Sequence, residues 1–202
     1  MIYEAKIVKK IEDISSIIGS CNRTGYLFVQ EKWTNHIIKI KLNSLNHARS
    51  VRRSNLWFKK TENEIYKFYS FDEKLDIMTE VSINQDDDSI KTLVLSLYKG
   101  GGSSSKNKQI FQKKIFIDSP NFLRIYDSKI LRNPKKKEDL TVVISSSYKK
   151  LICIDITNRM IKLLAFDKGE ELLEFYYIVN NSDFSELFVN DSKLRIHKLK
   201  YA

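Results

Sequence analysis

Histidine, cysteine and glycine are scarce in this chain of 202 residues, which holds three histidines, two cysteines and six glycines. His36, His47 and His197 stand apart from one another and from any Cys or carboxylate at ligand spacing, so no metal site is expected. Cys21 and Cys153 each sit inside an apolar pattern and lie far apart in sequence. This is core usage in a reducing compartment, not a disulfide framework. No apolar run approaches the length a membrane helix needs, and MIYEAKIVKK carries no signal-peptide apolar region, so an intracellular protein that does not meet a membrane is expected. No glycine-rich phosphate loop, carboxylate pair or Ser/Cys with His arrangement stands out. The chain therefore reads as non-enzymatic, with no cofactor.

Half of the glycines are consecutive: Gly100, Gly101 and Gly102 precede Ser103, Ser104 and Ser105 in KGGGSSSKNK. That composition is a flexible linker, and in a chain so poor in glycine it reads as an engineered replacement for a longer disordered loop. It divides the sequence into a first domain, 1–99, a linker, 100–108, and a second domain, 109–202.

What the chain has in excess is positive charge. Thirty-five Lys and Arg face 25 Asp and Glu, giving a formal net charge of +10. The balance is +3 before residue 100 and +7 from Lys106 onward. Such a field favours polyanionic partners through phosphate contacts and counterion release. A bland source also exists, since an AT-rich genome inflates Lys, Ile and Asn.

The elements repeat on both sides of the linker. NHIIKIKL alternates as a half-buried strand, and NSLNHARSVRR follows with Leu45, Ala48 and Val51 at helical spacing behind a Ser44 cap. IFQKKIFI is likewise followed by DSPNFLRIYDSKIL, where Ser119 caps, Pro120 takes the first helical position, and Phe122, Leu123, Tyr126 and Ile130 form a stripe. EELLEFYYIV precedes NNSDFSELFV, with Ser182 as cap and Phe184, Leu187 and Phe188 inward. The chain opens with IYEAKIV and KKIEDISSIIGSC, where Ile11, Ile14, Ile18 and Cys21 share one helical face. Between these predicted helices lie strand patterns: GYLFVQE, NLWFKK, EIYKFYS, DIMTEVSI, LTVVISSS, KLICIDI, RMIKLLAF and SKLRIHKLK. SIKTLVLSLY fits either a helix or a strand. The expected fold class is α+β, two similar domains of antiparallel sheets with short helices on one face.

SPNFLRIYDSKIL with DLTVVISSSYKKLICIDI resembles the strand, helix and strand unit opening the second domain of eukaryotic DNA sliding clamps of the proliferating-cell nuclear antigen type. MIYEAKIV, and IKLNSLNHARSV with NLWFKKTENEIYKFYS, resemble segments of that family's first domain. Each half is shorter than in the family, and the chain is basic where many replicative clamps are acidic. A divergent clamp of the checkpoint or viral processivity type is the closer likeness.

The resemblance implies a nuclear protein of replication or repair that encircles duplex DNA without reading sequence, assembles with itself or homologous subunits, and tethers client proteins. Its helices would line the hole. On them Lys9, Lys10, Arg49, Arg52, Arg53, Arg124, Lys129 and Arg132 are the expected DNA-binding residues. A β-rich interaction module of pleckstrin-homology type, holding an acidic protein partner on its basic surface, is the alternative. A single-strand-binding barrel is weaker. KLICIDITNRMIKLLAFD also passes for part of a β-propeller blade, although 202 residues are too few for a full ring.

Overall fold

The computed structural model describes residues 14–21, 26–31, 37–41, 64–85, 90–99, 108–118, 123–148, 150–164, 174–181 and 183–200. All fourteen elements among them are β-strands. They form four antiparallel sheets, each strand pairing with the next in sequence. Sheet 1 comprises β1 (Ile14–Cys21), β2 (Tyr26–Glu31) and β3 (Ile37–Lys41). Sheet 2 comprises β4 (Glu64–Asp72), β5 (Ile77–Gln85), β6 (Ile90–Lys99) and β7 (Lys108–Asp118). Sheet 3 comprises β8 (Ile125–Arg132), β9 (Leu140–Ser146), β10 (Leu151–Asp155) and β11 (Ile161–Leu164). Sheet 4 comprises β12 (Phe175–Asn180), β13 (Glu186–Asp191) and β14 (Ile196–Lys200).

The sheets pack face to face in chain order, and three apolar layers hold them. Phe28 and Ile37 of sheet 1 meet Tyr69 and Met78 of sheet 2. The opposite face of sheet 2, with Val81, Leu95 and Ile115, meets Val142, Ile144 and Ile152 of sheet 3. The other face of sheet 3, with Leu131, Val143 and Cys153, meets Ile178, Leu187 and Val189 of sheet 4. A strand buried on both faces has no need to alternate, which is why TLVLSL, TVVIS and LICID read as continuous apolar runs. Each fully buried Leu, Ile or Val contributes about 1.5–3 kcal/mol relative to exposure.

The first strand of each sheet is the one nearest its neighbours: β1 lies against β4, β4 against β8, and β8 against β12. Meanders stacked in sequence through their leading strands are arranged as β-propeller blades are.

The α+β expectation is thereby corrected. KKIEDISSIIGSC contains β1, DSPNFLRIYDSKIL contains β8, and NNSDFSELFV leads into β13, so three of the four expected helices are strands where they are described. The fourth, NSLNHARSVRR, lies outside the described residues. Two of the misreadings have one cause, a β-bulge. Pairing shifts between Ile14 and Ser16 and between Ile17 and Gly19 in β1, and between Ile125 and Asp127 in β8. An extra residue in a strand turns a period of two into spacings of three, which imitates a helical stripe. In β13 the alternation is regular, with Leu187, Val189 and Asp191 inward, and the supposed helix fails at Phe184, whose φ is 65°. SIKTLVLSLY is resolved as β6.

The glycine and serine run joins two strands of one sheet. β6 and β7 pair along their lengths from Ile90↔Asp118 to Lys99↔Lys108, so the boundary expected at 100–108 falls inside a hairpin.

Candidate functional site

Among the described residues sheet 4 has three strands and sheet 3 has four. The part of sheet 3 left uncovered by β14 forms a groove of about 450 Å³. Cys153 of β10 and Met160, Lys162 and Leu164 on and before β11 line one side, and Leu199 and Lys200 of β14 line the other. Asp139 and Asp155 also border it. Both carboxylates are engaged locally: Asp155 accepts from the Asn158 backbone and side-chain amides at 2.9 Å, and Asp139 from the Asn133 amide at 3.4 Å.

Polar contacts fix sheet 4 on sheet 3. Asp127 Oδ2 accepts from the Ile178 N–H at 2.9 Å, while Asn180 donates to the Ile130 carbonyl at 2.9 Å. The Phe184 carbonyl accepts from the Arg132 N–H at 2.7 Å, and the Ser145 hydroxyl donates to the Tyr176 carbonyl. Burial raises the Asp127 carboxyl above its ordinary value, against the opposing charge of Lys129 and the two backbone donors.

The β13–β14 hairpin is organised around Asp191, whose side chain is fully buried. Its Oδ1 accepts from the Lys193 and Arg195 N–H groups at 2.9 Å each. Its Oδ2 accepts from Arg195 Nε at 2.8 Å and lies 2.7 Å from His197 Nε2. Burial alone would raise this carboxyl, but the hydrogen bonds from His197 and Arg195 hold it well below the usual carboxylate range. The turn closes through Leu194 at φ 60°. As a result β14 is held firmly at the lip of the groove. Among the described residues no group of three or more His, Cys, Asp or Glu is placed to hold a metal ion.

The outer face of sheet 4 is exposed and apolar. Tyr177 is 69% exposed, Val179 61% and Ile196 73%; Val179 pairs with Phe188, Ile196 pairs with Asn190, and the Asn190 side chain accepts from the Tyr177 N–H at 2.8 Å. Lys198 and Lys200 share this face, and both reach Glu186, at 2.8 and 3.6 Å. A second, more polar cavity of about 340 Å³ lies where the β4–β5 turn, β8 and the β12–β13 turn meet. Ser70, Asp72, Lys129, Asn180 and Phe184 line it, and Lys74 Nζ stands 5.3 Å from the Phe184 ring centre.

Of the eight residues expected from sequence to meet DNA, three lie among the described residues. Lys9, Lys10, Arg49, Arg52 and Arg53 lie outside the described residues. Arg124, Lys129 and Arg132 belong to strand β8 and its approach, not to a helix. Arg124 and Arg132 are eight residues apart on an extended chain, roughly 26 Å. Each also has its own neighbour: Arg124 over the Tyr126 ring, Lys129 at 3.6 Å from Asp127, and Arg132 Nε donating to the Lys137 carbonyl at 2.9 Å. The residues that do converge, Cys153, Met160, Leu164 and Leu199, were read in sequence only as strand or core. His197 was set aside as isolated, yet the spacing of Asp191, Arg195 and His197 across a tight hairpin is the signal that joins them.

No family model matches the chain, and no curated protein matches it. Among solved structures, the β-propeller domain of Myceliophteria thermophila Cps50 (Swd1) is similar at 10% identity and a TM-score of 0.38, with 95% of this chain and 70% of that one covered.

Proposed function

We propose that the chain is a non-enzymatic β-sheet module that binds a protein partner on sheet 4 and the groove beside it. The observation that carries this reading is the exposed patch of Tyr177, Val179 and Ile196, set beside Lys198 and Lys200 on an end sheet. Large apolar side chains exposed on one sheet beside charged groups are a common mark of an interaction surface. Aromatic and aliphatic anchors there would supply affinity, and the lysines would favour an acidic partner.

The test is cross-linking of the purified chain in its native extract, comparing wild type with Y177E/V179E and with duplex DNA added as competitor. Partner proteins cross-linked through sheet 4 and lost in the variant support the reading. Capture that the variant leaves unchanged, or that duplex DNA abolishes with a steep salt dependence, overturns it in favour of nucleic-acid binding.

A further inference from the structure

We propose that the groove between β11 and β14 accepts an extended peptide of a partner protein that adds a fourth strand to sheet 4, with apolar residues alternating with Asp or Glu. This deepens the reading of the chain as a protein-binding module and rests on it.

Three observations converge on that occupant. The first is the count of strands. Among the described residues sheet 3 carries four strands and sheet 4 three, so a strand beside β14 would lie over β10 and β11, where the groove is. The groove therefore lies where a further strand paired with β14 would sit. No described strand lies beyond β14, whose outward N–H and C=O groups can template pairing.

The second is the shape and chemistry of the floor. Side chains that point inward from β14 include Leu199, which is buried, and the added strand would send alternate side chains to the same side. There they would meet Cys153 and Leu164, with Met160, itself 50% exposed, at the wall. Apolar side chains suit that floor. Burial pushes the Cys153 thiol up to about 12, so the floor offers a small neutral surface and not a thiolate.

The third is charge on the opposite side. Lys198 and Lys200 point outward, flanking Leu199 in the alternation, and both share one carboxylate, Glu186. The residues of an added strand directly opposite them lie within cross-strand reach, and acidic side chains there complete the pairing. Alternation thus follows from two constraints acting on opposite faces. The rigid Asp191 hairpin keeps β14 in strand geometry before the peptide arrives, which lowers the ordering cost of binding.

The experiment uses the full chain and two fluorescein-labelled peptides of equal composition: one alternating valine and glutamate over nine residues, one with the same residues in blocks. Fluorescence anisotropy should show the alternating peptide binding at least tenfold more tightly. K198E/K200E should weaken it at least tenfold, and M160W, which fills the groove from an exposed position, should do the same while leaving the thermal midpoint unchanged. Amide hydrogen exchange should slow at Ile196–Lys200 on peptide addition. Equal binding of the two peptides, or binding indifferent to both variants, overturns the strand-addition proposal. So does a dimer in sedimentation that the same variants dissociate, because β14 would then pair with a second copy. If partner cross-links through Tyr177 and Val179 survive while the peptide fails, only this proposal falls; if those cross-links are absent as well, the wider reading falls with it.

Discussion

Ser70 on β4 and Ser128 on β8 share a hydrogen bond of 2.8 Å between their hydroxyls, at a point where sheets 2 and 3 meet and both side chains are buried. A polar contact in an otherwise apolar layer fixes how one sheet sits on the other, since either hydroxyl left alone would be buried without that partner. S70A or S128A alone should cost about 1–3 kcal/mol, and S70A/S128A less than the sum of the two. Urea unfolding of the four proteins measures the coupling; additive losses would show that the pair does not act as a unit.

The Asp191 carboxyl is held below its ordinary value of 3.8, so its contribution to stability is fully present above 3.8 and is lost as pH falls through the lower folded value. D191N should destabilise the protein by about 3 kcal/mol at neutral pH by stranding Arg195 and His197. The difference between D191N and wild type should narrow as pH drops below 3.8. Unfolding midpoints across that acid range decide the matter, and a gap independent of pH would refute the assignment.

For Asp127 the sign is reversed. Burial raises its folded value, so its favourable contribution is present below 3.8 and fades as pH rises through that raised value. D127N should therefore remove a loss of stability on the upper side of 3.8, although the lost charge also weakens acceptance from the Ile178 N–H. Amide exchange at Ile178 reports the second effect separately from global stability.

Cys153 should react slowly with a disulfide reagent at neutral pH, because the thiol is buried and its ionisation is pushed up to about 12. Labelling should accelerate by orders of magnitude in urea. Rapid labelling of the native protein would mean that the groove opens far more than its packing implies.

The hairpin joining β6 to β7 should tolerate lengthening. Doubling the residues between Lys99 and Lys108 should cost only about 0.6 kcal/mol, the added entropy of closing a longer loop. A loss of several kcal/mol would place native contacts within that run.

Much of the fold is legible where strands are regular. EIYKFYS, DIMTEVSI, LTVVISSS and KLICIDI are strands in sequence and in structure alike, because β-branched and aromatic residues in short runs favour a pleated surface. The reading fails at β1 and β8 because a bulge changes the period that the reading depends on. It also fails to see the groove, since Leu164 and Leu199 come together only through the stacking of two sheets formed from separate stretches. Arg124, just before β8, and Arg132, its last residue, each have local company.

Because every sheet is assembled from consecutive strands, a cut between sheets severs one covalent connection and breaks no strand pairing. The polypeptide divided between Asp118 and Leu123 would yield two fragments, each with two of the described sheets, and their reunion would bring β4 back to β8, close the apolar layer between them and restore Lys74 over Phe184. The architecture is thus suited to fragment complementation, in which the layer between sheets 2 and 3 acts as a reversible joint.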